Sequence, residues 1–321
     1  MKRHPLSPIL TRKDILGIDS RLRDVSSVFN PGGIRWQGKT TLLLRVQNRA
    51  RQTLLVKAIS KDGLKFVTDV KPVSFHGVKG FADRIFHIYD PRIVRIGERF
   101  LVTCAMDTES GCRVGIFGSE DLEHLEFISL LSDADQRNGV LFPELIDGRY
   151  LMLSRPNEIT GPDGVRSGDR IGCYSSADLY SWQEEGELMK GQPHYWDELI
   201  GSGPPPIRTP IGWLHIYHGV ATHFGGGGIY QAGLSLLDLK EPWKTIVRGP
   251  YNVLEPREPY ETCGQVPNVV FPTAAIPMTD AEVDLDTPIY LYYGAADTCV
   301  GLAVSTIQDL LLYSGIELSF T

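Results

Sequence analysis

The chain is poor in cysteine, and the five it has are badly placed for pairing. Cys104, Cys112, Cys173, Cys263 and Cys299 are scattered, odd in number and form no Cys-x-x-Cys. That excludes a disulfide-stapled secreted scaffold and the common structural zinc sites. It reads as reduced, mostly buried thiols in a cytoplasmic protein. Basic runs are missing too. With a net charge of −7, neither nucleic acid nor an anionic membrane is an expected partner. No apolar stretch is long enough for a membrane span, and the basic start Met1-Lys2-Arg3-His4-Pro5 is not followed by the apolar core of a signal peptide. Helical periodicity is almost absent; Arg21 to Val28 and Thr306 to Tyr313 are the only short candidates. There is no Gly-x-Ser-x-Gly, and no Lys-Ser/Thr follows the run Gly225-Gly226-Gly227-Gly228. Neither a nucleophile elbow nor a phosphate-cradling loop is therefore indicated. Four glycines in a row still permit close approach of a ligand to the backbone.

What is present is a repeat. Five strands rich in large apolar or aromatic residues recur along the chain: Thr41 to Arg45, Arg99 to Thr103, Arg149 to Leu153, Trp213 to Tyr217 and Ile289 to Tyr293. Each is followed by a second strand ending in a Ser/Leu and Asp turn, as in Ala58 to Asp62, Gly115 to Leu122, Gly172 to Leu179, Gly233 to Leu239 and Gly301 to Asp309. Two-part β units recurring at about 60 residues are blades of a propeller. The expected fold is all-β, a five-bladed β-propeller over 29–321, preceded by an N-terminal arm, 1–28. A propeller gathers one loop per blade around its axis, so the chemistry should come from residues far apart in sequence.

Three clusters could carry that chemistry. Asp90 lies in Tyr89-Asp90-Pro91-Arg92, just before the strand of the second blade. A carboxyl group beside a tyrosine in a closed site suits proton donation; the alternative is a carboxylate that caps a turn. Arg45, Arg155 and His218 follow or end like strands in three blades, with Arg137 nearby in Asp135-Gln136-Arg137-Asn138-Gly139. Converging guanidinium and imidazole groups suit an oxyanion; the alternative is that each arginine pairs with a neighbouring acid. Asp297 sits after the last blade's strand in Tyr292-Tyr293-Gly294-Ala295-Ala296-Asp297, where it could hold sugar hydroxyls, with Tyr293 as a stacking surface. His215, His218 and His223 do not make a zinc site, because strand positions three apart face opposite sides.

These residues sit in short motifs whose order resembles glycoside hydrolase family 130, the β-mannoside phosphorylases and related mannosidases. The resemblance spans essentially the whole chain. It rests on Phe29-Asn30-Pro31 with Leu44-Arg45-Val46, on Tyr89-Asp90-Pro91-Arg92, on Gly139 to Glu144 with Ser154-Arg155-Pro156, on Gly203 to Ile207 with Gly212 to Gly219, on Pro259-Tyr260-Glu261 with Val269 to Thr273, and on Tyr292 to Asp297. It implies a five-bladed propeller that acts on a β-linked mannosyl oligosaccharide, with inorganic phosphate as co-substrate and no other cofactor. Asp90 is then the single catalytic acid, passing its proton through a mannosyl hydroxyl while phosphate attacks from the opposite face. Phosphate ligands fall on Arg137, Arg155 and His218. Mannosyl ligands fall on Asn30, Arg45 and Asp297, with Tyr89 and Phe271 also at the substrate.

One departure stands out. Where phosphorylases of the family carry a lysine before an Ile-Gly pair, this chain has Leu199, beside Asp197 and Glu198. Hydrolases of the family lack parts of the phosphate cluster and use water, and Asp197 or Glu198 would then be the general base. Phosphorolysis is the expected activity, since both arginines and the histidine remain. A β-mannosidase is the alternative on the same scaffold, and a non-catalytic sugar-binding propeller is the alternative of another class. Linkage, acceptor sugar and oligomeric state are open; the N-terminal arm is the contact element a homo-oligomer would use.

Overall fold

The structure is a computed structural model and describes residues 1–321 apart from 82, 162, 163, 165, 224, 225 and 318–321. It is almost entirely antiparallel sheet, arranged as five blades. Blade one comprises Val25–Trp36, Lys39–Asn48, Thr53–Ser60 and Val67–Thr68. Blade two comprises Ile85–Ile96, Arg99–Thr108, Gly111–Ser119 and His124–Leu130, with Ser74–His76 added in parallel at its edge. Blade three runs Gln136–Leu141, Tyr150–Pro156, Arg170–Ser176 and Gln183–Lys190. Blade four runs Leu199–Ser202, Gly212–His223, Gly226–Leu237 and Thr245–Arg248. Blade five is built from Val270–Pro277, Pro288–Ala295 and Cys299–Thr306, and its outer strand is Lys2–Arg3 from the other end of the chain.

The packing explains why the second strands are apolar at consecutive positions rather than alternate ones. Successive side chains of a strand point to opposite faces, and each face of a blade meets a neighbouring blade. Leu42 and Leu44 enter a cluster with Ala274 and Tyr292 of blade five, whereas Leu43 enters one with Ile93 and Val102 of blade two. Leu101 and Met152 join blades two and three, Leu153 and Trp213 join three and four, and Leu214 and Leu291 join four and five. Five apolar clusters, one at each junction, close the ring. Burying a leucine fully is worth about 1.5–3 kcal/mol, so these junctions dominate the stability of the fold.

The Ser and Asp signal at the end of the third strands is a repeated turn. Ser60, Ser119 and Ser176 each accept from the N–H three residues on, all at 2.9 Å. Asp62, Asp121, Asp178 and Asp238 each accept from the two N–H groups at the second and third following residues. In blade five Thr306 takes over, accepting from the Asp309 N–H and capping the helix Ile307–Ser314. The helical pattern over Thr306 to Tyr313 is therefore real. The one over Arg21 to Val28 is not: it resolves into a 3-10 turn, Ser20–Leu22, and the start of the first inner strand. There Ser26 and Ser27 interrupt the helical period, and Val28 and Phe29 are buried strand residues.

Four inner strands break register at like depth, at Phe29/Gly32, Tyr89/Arg92, Arg137/Val140 and Pro272/Ala274. The first three bulges each contain a non-glycine residue of positive φ: Asn30 at 44°, Asp90 at 51° and Asn138 at 58°. Such conformations cost roughly 1–3 kcal/mol and cluster where a side chain must be re-aimed.

Candidate functional site

The three bulged residues, with the ends of the second strands, meet at one end of the ring. Asp90 is the hub of the first half. Its Oδ1 accepts from Asn30 Nδ2 at 3.1 Å and from Arg45 Nη1 at 2.9 Å. Oδ2 has no partner among the described residues and is the oxygen left for a ligand. The Arg45 guanidinium lies between two rings, 4.5 Å from the Phe29 centroid and 4.2 Å from that of Tyr89. Burial works against its charge, but Asp90, Tyr89 and Asp297 outweigh it and hold it protonated above its ordinary value. Asn30 needs its own space: a Cβ on Gly294 would lie 1.8 Å from Asn30 Oδ1, so only glycine fits there.

Asp297 faces the same group. Burial raises its pKa from 3.8 to about 6, opposed by Arg45 and reinforced by Asp90. A carboxyl whose folded pKa is raised costs stability as pH climbs from its unfolded value through its folded one. Asp297→Asn is therefore expected to gain stability over wild type between pH 4 and pH 7 and to match it below that range. Thermal unfolding of both proteins across pH checks this, and parallel curves would remove Asp297 from the buried group.

The second half is cationic. Arg137 Nη2 donates to Asp107 Oδ1 at 3.3 Å, and Tyr89 donates to the same oxygen at 2.9 Å, so Asp107 ties the acid side to the cationic side. Arg155 donates to Asn157 at 2.9 Å, and Asn157 in turn to Asp135 at 2.6 Å. Burial, and Arg137 among its neighbours, bring Arg155 down to about 10, which still leaves it charged at neutral pH. His218 is fully buried and packs against Phe271 at 4.6 Å between centroids. Burial first, then the Arg155, Arg92 and His215 groups, hold its pKa well below 6.5, so the ring is neutral. As assigned, Asn138 Nδ2 donates to His218 Nε2 at 3.2 Å, which places the ring proton on Nδ1. That Nδ1, with Arg137 Nε and Arg155 Nε, is buried without a hydrogen-bond partner among the described residues. Buried donors rarely go unmet; a cluster of them with two arginines fits an anion.

The sequence-derived residues thus come together with few exceptions. Asn30, Arg45, Tyr89, Asp90 and Asp297 form one half; Arg137, Arg155, His218 and Phe271 the other. Tyr293 does not offer a stacking face. It is fully buried within the strand Pro288–Ala295, three residues before the turn that carries Asp297, and donates to Glu261 at 2.7 Å. Asp197 and Glu198 do not join the group. Asp197 is fully buried and bonded to Tyr217 Oη at 2.9 Å, to Gln192 and to Arg248, and Glu198 takes the Thr222 hydroxyl. Of the glycine run, Gly225 lies outside the described residues, as does the side chain of His223. His215 bonds Ser235 and Ser202 at 3.0 and 3.2 Å, away from His218.

Three contributors went unrecognised. Asn138 could have been found from its kinship with Asn30 and Asp90, as an Asx residue at the inner bulge. Asp107 is the penultimate residue of a second strand, Arg99–Thr108, and Arg45 lies three residues from the end of its own. Arg92, third in the Asp-Pro-Arg motif, is a strut: it donates to the carbonyls of Asp90 and Pro91 at 3.1 Å and of Gly203 at 2.6 Å.

A propeller that holds a partly free carboxyl group against a pocket of unmet cationic donors has the parts of a glycosyl-transferring enzyme. The family described as β-1,4-mannooligosaccharide phosphorylase, glycoside hydrolase family 130, matches residues 1–313. The chain is 33% identical over 319 residues to the β-1,4-mannooligosaccharide phosphorylase of Ruminococcus albus, covering 97% of this chain and 90% of that protein. It is 31% identical to the 1,2-β-oligomannan phosphorylase of a Thermoanaerobacter species, covering 89% and 92%. Among solved structures it is similar to the β-1,2-mannobiose phosphorylase of Listeria innocua in complex with β-1,2-mannobiose, with a TM-score of 0.81, 26% identity, and 98% and 99% of the two chains covered. The chain belongs to glycoside hydrolase family 130.

Proposed function

We propose that this protein is an inverting β-mannoside phosphorylase, which converts a β-linked mannosyl oligosaccharide and phosphate to mannose 1-phosphate and the shortened sugar. The observation that carries the reading is the set of buried donors on Arg137, Arg155 and His218 that have no partner among the described residues, with Arg137 tied through Asp107 to Tyr89, the residue before Asp90. Phosphate is already ionised, so it needs charge-assisted binding rather than a base. Asp90 Oδ2 supplies the proton, through a hydroxyl of the bound mannosyl unit, to the departing glycosidic oxygen. Phosphate oxygen bonds to the anomeric carbon from the opposite face, and the bond to the acceptor sugar breaks. A usual inverting pair would need a second carboxylate as base. Asp197 is tied to Arg248, which supports phosphate over water as nucleophile. Reduced cysteines fit a cytoplasmic site of action for such an enzyme.

Incubation with β-1,4- and β-1,2-mannobiose, with and without phosphate, tests the reading. Mannose 1-phosphate formed only with phosphate is expected; free mannose released at equal rate without it overturns phosphorolysis in favour of hydrolysis. Arg155→Ala is expected to raise the KM for phosphate by about tenfold or more and that for sugar far less, since a bond to a charged group is worth roughly 1.5–3 kcal/mol. Equal rises in both constants count against a phosphate role. Position 199 gives the converse. Leu199 pairs with Val220 and Gly201 with His218, and a Cβ on Gly201 would lie 2.5 Å from the His218 ring. Leu199 shares that face of the strand, so Leu199→Lys would aim an ammonium at the anion pocket. A lower KM for phosphate is expected, and an unchanged one shows that the pocket is out of reach.

A further inference from the structure

Arg137 and Arg155 lie directly opposite each other in register, on the first two strands of blade three. Like charges across a strand pair repel. An acid behind each arginine offsets the repulsion, and the two are served differently. Asp107 bonds Arg137 directly, at 3.3 Å. Arg155 makes no ion pair among the described residues. Its acid is Asp135, and an amide stands between them. Arg155 Nη2 donates to Asn157 Oδ1 at 2.9 Å, and Asn157 Nδ2 donates to Asp135 Oδ1 at 2.6 Å.

The backbone fixes this chain of bonds. Asp135 and Asn157 form the next rung beyond the Gln136 and Pro156 pair, and the Asn157 N–H donates to the Asp135 carbonyl at 2.9 Å. The Asp135 carboxylate is held in turn by the Cys112 N–H at 3.2 Å and by Arg166, of the short strand Arg166–Ser167, at 2.8 Å. Asn157 is 1% exposed. Between a guanidinium, which only donates, and a carboxylate, which accepts, its amide has one possible orientation. An acid in direct contact would orient Arg155 equally well, but it would also take up the charge. The amide passes on the orientation and keeps the negative charge one residue further from the buried Arg155 Nε, which has no partner among the described residues.

We propose that Asp135 and Asn157 are positioning residues for the nucleophile: they aim the Arg155 guanidinium into the anion pocket and leave its charge for phosphate. The inference rests on the β-mannoside phosphorylase reading. The decisive variant exchanges the two residues, Asp135→Asn together with Asn157→Asp. It keeps the net charge and the bonds that link Arg155 to both side chains, gives up the acceptor for the Cys112 N–H, and brings the carboxylate against Arg155. The KM for phosphate should rise about tenfold or more, because the arginine's charge is then satisfied within the protein, while that for mannobiose stays within about twofold. Asn157→Ala, which unties Arg155 without adding a charge, should show the same split between the two constants. An exchange variant whose KM for phosphate matches wild type overturns the proposal, and so does an equal rise in both constants. If the exchange variant does not fold, Asn157→Ala carries the test by the same two criteria. A wild type that cleaves mannobiose at the same rate without phosphate would instead defeat the phosphorylase reading, and the positioning role with it.

Discussion

Asp90→Asn is expected to lower turnover of an unactivated β-mannoside by about 10²–10⁴-fold, the usual weight of a general acid. The substitution is conservative where it matters for structure. Asparagine keeps an oxygen for Asn30 Nδ2 and Arg45 Nη1, both of which bond Oδ1 alone. It also keeps the positive φ of 51° that an Asx residue tolerates in the bulge. What it removes is the proton. The deficit should therefore shrink with an aryl mannoside, whose leaving group departs without protonation, while the thermal midpoint should fall, because the substitution also removes the charge that faces the buried Arg45 guanidinium. A variant within about threefold of wild type on mannobiose would exclude Asp90 as the acid.

Asp90 could be singled out from its motif, its role as the acid is what the resemblance to family 130 implies, and the propeller that carries it was legible for a physical reason. Second and third strands of each blade are sandwiched between neighbouring blades, so they carry dense apolar runs such as Leu42-Leu43-Leu44, and their Ser and Asp turns recur because each turn needs the same acceptors. Inner strands were harder to read. They are short, buried on both sides and broken by bulges, so Val25–Trp36 shows no clean alternation and its start passed for a helix. The cations were legible because strand ends are fixed by the repeat. Partners that come from a different blade were not. Nothing local to Asp197 shows that Arg248 will consume it, and nothing local to Tyr293 announces Glu261.

Glu261 itself leads to the second large effect. It is fully buried and receives both Nε and Nη2 of Arg3 at 2.7 Å, together with the N–H groups of Arg257 and Glu258 and the Tyr293 hydroxyl. Arg3→Ala would leave this carboxylate buried without its cation, a loss of about 3–5 kcal/mol. Arg3→Lys should recover little, because an ammonium cannot reproduce the two-pronged bond. Burial opposes the Glu261 charge, but Arg3 and the N–H donors outweigh it and hold its pKa below 4.5. A lowered carboxylate stabilises the fold above its unfolded pKa and loses that contribution as pH falls through its folded one. The gap between wild type and Arg3→Ala should thus be widest near neutrality and narrow in acid. Urea unfolding at several pH values measures it; a gap under about 1 kcal/mol at pH 7 would mean that the pair holds nothing together.

The pairing of Lys2 with Val304 and Arg3 with Ala303 also sets a timetable. A ribosome adds about 5–20 residues per second, so the strand at the front of the chain waits roughly 15–60 s for its partner to be made. Blades one to four can assemble as they emerge, but until the last one arrives the nascent protein is an open arc with two unsatisfied flanks. One is the face of blade one that carries Leu42 and Leu44, and the other is the face of blade four that carries Leu214 and Ile216. During synthesis this enzyme is therefore most exposed to aggregation just before completion, and a chaperone that shields those two leucine-rich flanks would act on the translating chain rather than on the released one.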